Sequence, residues 1–476
     1  MQFTGEFPHP FDPADYGDGV PPYTLIELNM MRILGKIKNK SRWFEKINDP
    51  IVTDKWREEL NYLHPTQVQY ILDELKYFAK LSSEKISTSS VDGVWGSDAI
   101  ISEDLRLDLA AAILPLENVD EPDWHPGSNE QMLDLVHPSV NPFVNGVSKN
   151  SDGNVIKVFD LLSSNKDTSE KYQWLPSEVE VSENGECKII SSINNLPQGE
   201  LYSILEKILE KILEKFIPLF NNVLTELVNP RSRRQIVSMT SENLYGPGPK
   251  CDEDEDDEYD EWFENRVPKV PEEVPEFKAP DREKIVELKG RRLQVIFKLA
   301  NIVLTPEKPT YSGGSWHVEG MTNEHIVASG IYYWNSENIT ESKLTFRASI
   351  REPDYEQNDN KGVRAVFGLE DEGFLVQEIG NVTCVQGRSF VWPNTLQHKV
   401  QDFELDDPTE PGVRKILVFF LVDPSIRIVS TADVPQQNFP SELKNQYRDE
   451  LMKERKFFVD QNTKEHFERE FSLCEH

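Results

Sequence analysis

The chain has 476 residues, 38% of them hydrophobic, which is enough for a real core, and a formal net charge of −32 at pH 7. So large an excess of acid repels nucleic-acid phosphates and anionic membrane surfaces unless a local basic patch overcomes it, and the sequence carries no such patch. Cys187, Cys251, Cys384 and Cys474 form no C-x-x-C pair, no run approaches the roughly 20 apolar residues that span a bilayer, and no basic start with an apolar stretch opens the chain; an intracellular protein, cytoplasmic or nuclear, without nucleic-acid or membrane partners is expected.

Residues 1–172 read as mainly helical. TLIELNMMRILGKIKN and HPTQVQYILDELKYFAKLS set apolar residues at helical spacing, His64-Pro65 marks a helix entry because proline suits the first turn, and SEDLRLDLAAAILPLEN continues the pattern. In 173–244, SEVEVSENGECKII alternates apolar and polar residues around Asn184-Gly185, a dipeptide suited to a tight hairpin. The following segment repeats ILEK three times and puts Ile204, Leu205, Ile208, Leu209, Ile212 and Leu213 on one broad stripe. Its four-residue period drifts from 3.6, so packing against the fold is expected in place of a long coiled coil.

Residues 245–282 hold nine acids within positions 252 to 261 and four prolines in VPKVPEEVPEFKAP, a composition that predicts an exposed connector. From 283 to 430 the period changes. RRLQVIFKLANIVLTP, EHIVASGIYYWN, SKLTFRASI, NVTCVQGRSFVWPN, HKVQDFEL and VRKILVFFLVDP are short β-branched and aromatic runs between turn residues, as in an antiparallel sandwich or barrel. SIREPDYEQNDNKGVRAVFGLEDEGFL, between two of these strands, is expected to be a lid or specificity loop. Residues 431–476 read as a charged helical tail.

His-x-acid is a weak signal alone: nine histidines in a chain with 83 acids give roughly 1.6 matches by chance, and two occur. His466-Phe467-Glu468 lies in a helical pattern, where residues two apart diverge, and is assigned to the surface. His317-Val-Glu319 lies in extended text, where residues two apart share a face and converge on one cation. His398, opening a later strand of the same sheet, is the third candidate ligand. Two imidazoles and a carboxylate on one face of an octahedron leave three positions open, the arrangement of non-haem Fe(II) oxygenases. Arg414 stands sixteen residues on, in a strand that DDPTEPG would fold antiparallel to that of His398, where it could grip the distal carboxylate of a dicarboxylate. Lys415 points to the opposite face. Arg347 and Arg388 are alternative anion binders, His325 is read as a non-ligand, Tyr311 and Trp316 are candidates for the pocket wall or the co-substrate, and Asn394 and Gln397 for holding ligands or co-substrate.

The order WHVEG, IVASGIYYWN, LTFR, GRSFVWPNTLQH, GVRKILVFFLVDP resembles the Fe(II)/2-oxoglutarate-dependent oxygenases, especially their prolyl 4-hydroxylase-like branch, over roughly residues 290 to 425. More broadly, YSGGSWHVEG, INNL and RKILVFFLVDP resemble a large, mostly fungal family of uncharacterised proteins. The oxygenase resemblance implies an α+β protein built on an antiparallel double-stranded β-helix, a jelly-roll or cupin-like barrel. It implies Fe(II) held by His317, Glu319 and His398, 2-oxoglutarate paired with Arg414, molecular oxygen, and a small-molecule or peptide substrate. Glu319 departs from the commoner aspartate; a retained acid favours hydroxylation or demethylation over halogenation. Two other readings stay open: a cupin-like metal enzyme that does not use 2-oxoglutarate, and a non-catalytic scaffold docking through its acidic segment and ILEK helix.

Overall fold

In the computed structural model, residues 2, 5–11, 19–158, 168–248, 256–437 and 439–473 are described; Cys251, Cys474 and the first acids of the acidic run lie outside them. The N-terminal helices start where their caps dictate. Leu25–Lys38 opens on a capping box between Thr24 and Glu27, Pro65–Leu81 on His64, whose Nδ1 accepts the Thr66 N–H, and Glu103–Glu117 on Ser102. The hairpin Ser177–Val181 and Cys187–Ile189 turns through Gly185 at φ +89°.

The ILEK segment forms one 28-residue helix, Glu200–Leu227. Leu205, Ile208, Leu209, Ile212 and Leu213 are buried, but Ile204 is 54% exposed. Each four-residue step overshoots a full turn by about 40°, so the first repeat has rotated off the stripe that the later ones bury. Further along, Phe216 and Phe220 press on Gly330, where an added Cβ would lie 2.8 Å from the Phe216 ring. A helix can approach the sheet this closely only over a residue without a side chain.

Seven long strands carry the remainder: β1 (Arg292–Leu304), β2 (Ile326–Glu337), β3 (Ser342–Ser349), β4 (Val376–Cys384), β5 (Ser389–Pro393), β6 (Gln397–Val400) and β7 (Gly412–Val422). A nine-stranded antiparallel sheet contains the run β5-β2-β7-β1, continued by the 177–189 hairpin, with Met132–Val136 also paired to β1. A second sheet has the order β4-β3-β6. Strand alternation divides the large sheet into two faces: Leu417, Phe419 and Leu421 of β7 meet the long helix, while Val418 and Phe420 meet Leu344 and Phe346 of the small sheet.

The two sheets face each other without hydrogen-bonding into one closed barrel among the described residues, unlike the expected closed barrel. His398 lies in the small sheet, paired through β6 to β3, and Arg414 in the large one, paired through β7 to β1 and β2. DDPTEPG therefore carries the chain from one sheet to the other; it does not close a hairpin. The lid segment folds away: its helix Asn360–Phe367 buries Val363, Val366 and Phe367 in a separate cluster. The connector is only partly exposed, since Val274 is buried, Phe277 packs edge-on to Tyr70, and the Glu272 carbonyl accepts from Gln67.

The C-terminal helix, Ser441–Asn462, buries Tyr447 and Leu451, and Arg448 reaches Asp134 at 2.7 Å, so it is part of the body of the fold. His466 and Glu468 follow on a π-helical turn, where Glu468 pairs with Arg347 at 2.7 Å; the expected free surface position is replaced by an ion pair. Among the described residues no helix is long and apolar enough to cross a membrane.

Candidate metal centre and its cavity

His317 and His398, 81 residues apart, meet by mutual backbone hydrogen bonds: the His317 N–H donates to the His398 carbonyl (3.2 Å) and the His398 N–H returns to the His317 carbonyl (3.0 Å). The extended chain then brings Glu319 to the same side as His317. Glu319 Oε1 lies 3.3 Å from His398 Nε2 and 3.7 Å from His317 Nε2, and one donor atom from each residue falls within 4.8 Å of the others. Ligands at neighbouring corners of one ion with bonds of about 2.1 Å stand about 3.0 to 3.4 Å apart, so a small relaxation seats all three on one metal.

The surroundings set tautomer and charge. His317 Nδ1 hydrogen-bonds the Ser315 carbonyl at 2.9 Å, which leaves Nε2 unprotonated in the neutral ring and aimed at the carboxylate. Glu319 is anchored from behind: its N–H donates to Asn394 Oδ1 (2.8 Å), and Asn394 Nδ2 donates to the carbonyls of Glu319 and Ile326 (both 2.9 Å). Burial alone would raise the Glu319 pKa, but the two imidazoles outweigh it and hold the carboxyl well below its usual range. Burial opposes a charged His317, yet its hydrogen bond and charge pairing with Glu319 prevail and raise its pKa; for His398, burial and then the His317 charge lower it. The centre thus carries a carboxylate and one imidazole poised to stay neutral.

A cavity of about 710 Å³ opens on this trio between the two sheets. Its walls include Tyr311, Tyr333, Trp392, Val418 and Phe420, and its rim is formed by residues 125–129 and 310–315. Arg414 lines it too. Only 2% exposed, Arg414 donates to Ser342 Oγ at 2.6 Å, lies against the rings of Tyr333 and Phe403, and leaves Nε without a partner. Among the described residues no carboxylate lies within 4 Å of it. The other arginines considered are engaged: Arg347 with Glu468 and Gln397, Arg388 with Asp98 through two bonds of 2.7 and 2.8 Å. A buried guanidinium without an anion is costly, and its position on the wall marks a cavity that an anion would complete.

The remaining candidates divide by face. Tyr311 lines the cavity and packs on Phe403. Trp316 instead lies between Arg347 and Lys399, and Lys415 binds Glu117 on the far face at 2.7 Å. Asn394 is not among the cavity-lining residues, and its bonds are all to backbone, so its amide holds Glu319 in place. Gln397 is likewise engaged, with Arg347 and Thr463. His325 sits in a left-handed turn beside His9, outside the trio. A second group, His125, Asp134 and His137, escaped the sequence reading and also brings donor atoms within 4.8 Å. There Asp134 already bonds His125 Nδ1 (2.8 Å) and Arg448 (2.7 Å), so a guanidinium occupies the charge that a metal would need. The donors at 317, 319 and 398 suit iron(II) by type, with two imidazoles and one carboxylate facing an open cavity.

Comparison with curated proteins finds no match. Solved structures that superpose on parts of the chain include the Fe(II)/(alpha)ketoglutarate-dependent dioxygenase TqaL, at 10% identity over 71% of this chain and 81% of that one, TM-score 0.28. Others are a bsmA homolog from Methylobium petroleophilum PM1 (11%, 73% and 91%, TM-score 0.29) and a prolyl-4-hydroxylase from Pseudomonas putida (11%, 27% and 51%, TM-score 0.15). The chain spans about half the length of the last. At such scores these likenesses carry no weight for the chemistry, which rests on the geometry of the centre. The model of the family described as Protein of unknown function (DUF4246) matches residues 65–441, and that of its N-terminal domain matches residues 2–59; the chain belongs to this family.

Proposed function

We propose that this protein is a non-haem Fe(II)- and 2-oxoglutarate-dependent dioxygenase, a hydroxylase or demethylase, whose facing sheets form an open double-stranded β-helix within residues 283–430. The observation that carries the reading is the pairing, in one cavity, of a two-histidine, one-carboxylate trio with a buried arginine that has no anion among the described residues. His317, Glu319 and His398 would hold the metal through Nε2, Oε1 and Nε2. Arg414 would receive the distal carboxylate of 2-oxoglutarate, with Tyr311 and Tyr333 as neighbouring walls. Bound together, iron and 2-oxoglutarate supply the oxidising power for attack on a C–H bond by dioxygen. The chain's own part is geometric and electrostatic: the Ser315 carbonyl fixes the His317 tautomer, Asn394 fixes Glu319, and the apolar wall of Val418, Phe420 and Trp392 limits water. Two buried free cysteines, Cys187 and Cys384, fit a reducing compartment.

The test is anaerobic titration of the purified protein with Fe(II) and then 2-oxoglutarate, followed by the weak visible charge-transfer absorption of chelated 2-oxo acid. A band that His317→Ala or His398→Ala abolishes supports the reading. Bound iron with no band removes it in favour of a metal enzyme that does not use 2-oxoglutarate, and absence of metal binding leaves the scaffold reading.

A further inference from the structure

Lys298 interrupts an otherwise apolar stretch of β1. Its neighbours Phe297 and Leu299 are buried on the helix side, while strand alternation turns Lys298 toward the cavity with Ala300 and Ile302. Across the ladder it faces Val418, whereas Arg414 faces Ile302. Four residues of strand, about 13 Å, therefore separate the levels of the two cations along the cavity wall. Lys298 lies close enough for its charge to act on His317 and on Asp134.

No carboxylate lies within 4 Å of Lys298 among the described residues, whereas the strand cations Arg292, Arg347 and Lys415 pair with Glu178, Glu468 and Glu117. The acid whose charge it shares, Asp134, is already balanced by Arg448 and hydrogen-bonded to His125, which itself lines the cavity. An ammonium left unmatched in a chain with 83 acids and 51 basic residues is available for an incoming anion. Beside it the wall is apolar, made by Ile331, Val418 and Phe420.

We propose that Lys298 anchors the substrate: a small molecule with an apolar body along Val418 and Phe420 and an anionic head, carboxylate or phosphate, at the end of the cavity away from Arg414. The assignment of that molecule as the one oxidised rests on the proposed function; the anion site itself does not. A neutral or cationic substrate would leave the ammonium unmatched in the occupied cavity, and Asp134 could not compensate it while held by Arg448.

The test uses the full chain saturated with Mn(II) and 2-oxoglutarate and four probes of one shape: 4-phenylbutyrate, its carboxamide, 4-phenylbutylamine and 3-phenylpropyl phosphate. Binding is read by ligand NMR line broadening. The expected result is at least about tenfold tighter binding of an acid than of the amide or amine, with the tighter of the two acids naming the head group. Lys298→Met should erase the preference and Lys298→Arg keep it. Equal binding of amide or amine, no binding of any probe, or a preference that survives Lys298→Met overturns the inference. The parent reading is separable: a wild-type chain that forms the Fe(II)–2-oxoglutarate band yet shows no acid preference sinks this inference alone. An acid preference dependent on Lys298 without such a band sinks the oxygenase reading alone.

Discussion

Replacing Arg414 by methionine should separate stability from ligand binding, because the guanidinium has no anion among the described residues. In the ligand-free protein the substitution removes one charged hydrogen bond to Ser342, worth about 1.5–3 kcal/mol, and contacts with two rings 5.1 and 5.5 Å away, worth about 0.5–2 kcal/mol. It also removes the burial cost of an unpaired cation, itself several kcal/mol. The opposing contributions nearly cancel, so denaturant unfolding should place Arg414→Met within about 2 kcal/mol of wild type, against the about 3–5 kcal/mol lost when a matched buried pair is broken. Co-substrate binding should respond differently. Loss of one partner of a buried charge pair costs about 2–5 kcal/mol, which weakens 2-oxoglutarate by about 30-fold to several thousand-fold. Paired measurements of unfolding and anaerobic 2-oxoglutarate affinity decide the matter. A variant destabilised by more than about 3 kcal/mol that still binds 2-oxoglutarate within about threefold of wild type would show that Arg414 serves the fold and not a ligand.

Metal binding must displace the proton that Glu319 helps His317 to keep, despite burial, above the ordinary histidine value. Affinity for Mn(II) should therefore rise with pH from about 6.5 upward until His317 is neutral, with about one proton released per ion; calorimetry in buffers of different ionisation enthalpy counts it, and a pH-independent affinity contradicts the assignment. Asn394→Ala strands the Glu319 N–H and two carbonyls, so it should cost about 2–4 kcal/mol in unfolding experiments and weaken Mn(II) about 10- to 100-fold; unchanged metal affinity would refute the clamp. Arg234→Met breaks buried pairs with Glu74 and Asp92 at 2.7 and 2.8 Å, remote from the cavity, and should lose about 3–5 kcal/mol of stability with Mn(II) and 2-oxoglutarate affinity intact. A stability near wild type would mean that this network contributes nothing net.

Local rules in the sequence go far where the chain obeys a period. Alternation alone puts His317 and Glu319 on one side of an extended segment and separates Arg414 from Lys415, and the structure shows these directions: the first three face the cavity, the fourth meets Glu117. The His64-Pro65 helix entry and the glycine at 185 locate element ends for the same reason, since each acts within a few residues. The lid segment and DDPTEPG differ from expectation because a loop's composition does not encode which sheet the next strand joins.

What the sequence by itself determined is therefore local: helix entries, strand faces and a pair of ligands two residues apart. Only the tertiary structure decided that His398 closes the trio, and which cations stay unmatched. Arg347, Arg388, Arg414 and Lys298 look equivalent as letters in or beside apolar strands. They differ because Glu468 lies 121 residues from the first, Asp98 lies 290 from the second, and no carboxylate reaches the last two among the described residues. Charge is neutralised through space over a few ångströms, and the chain separation between partners sets no limit on it.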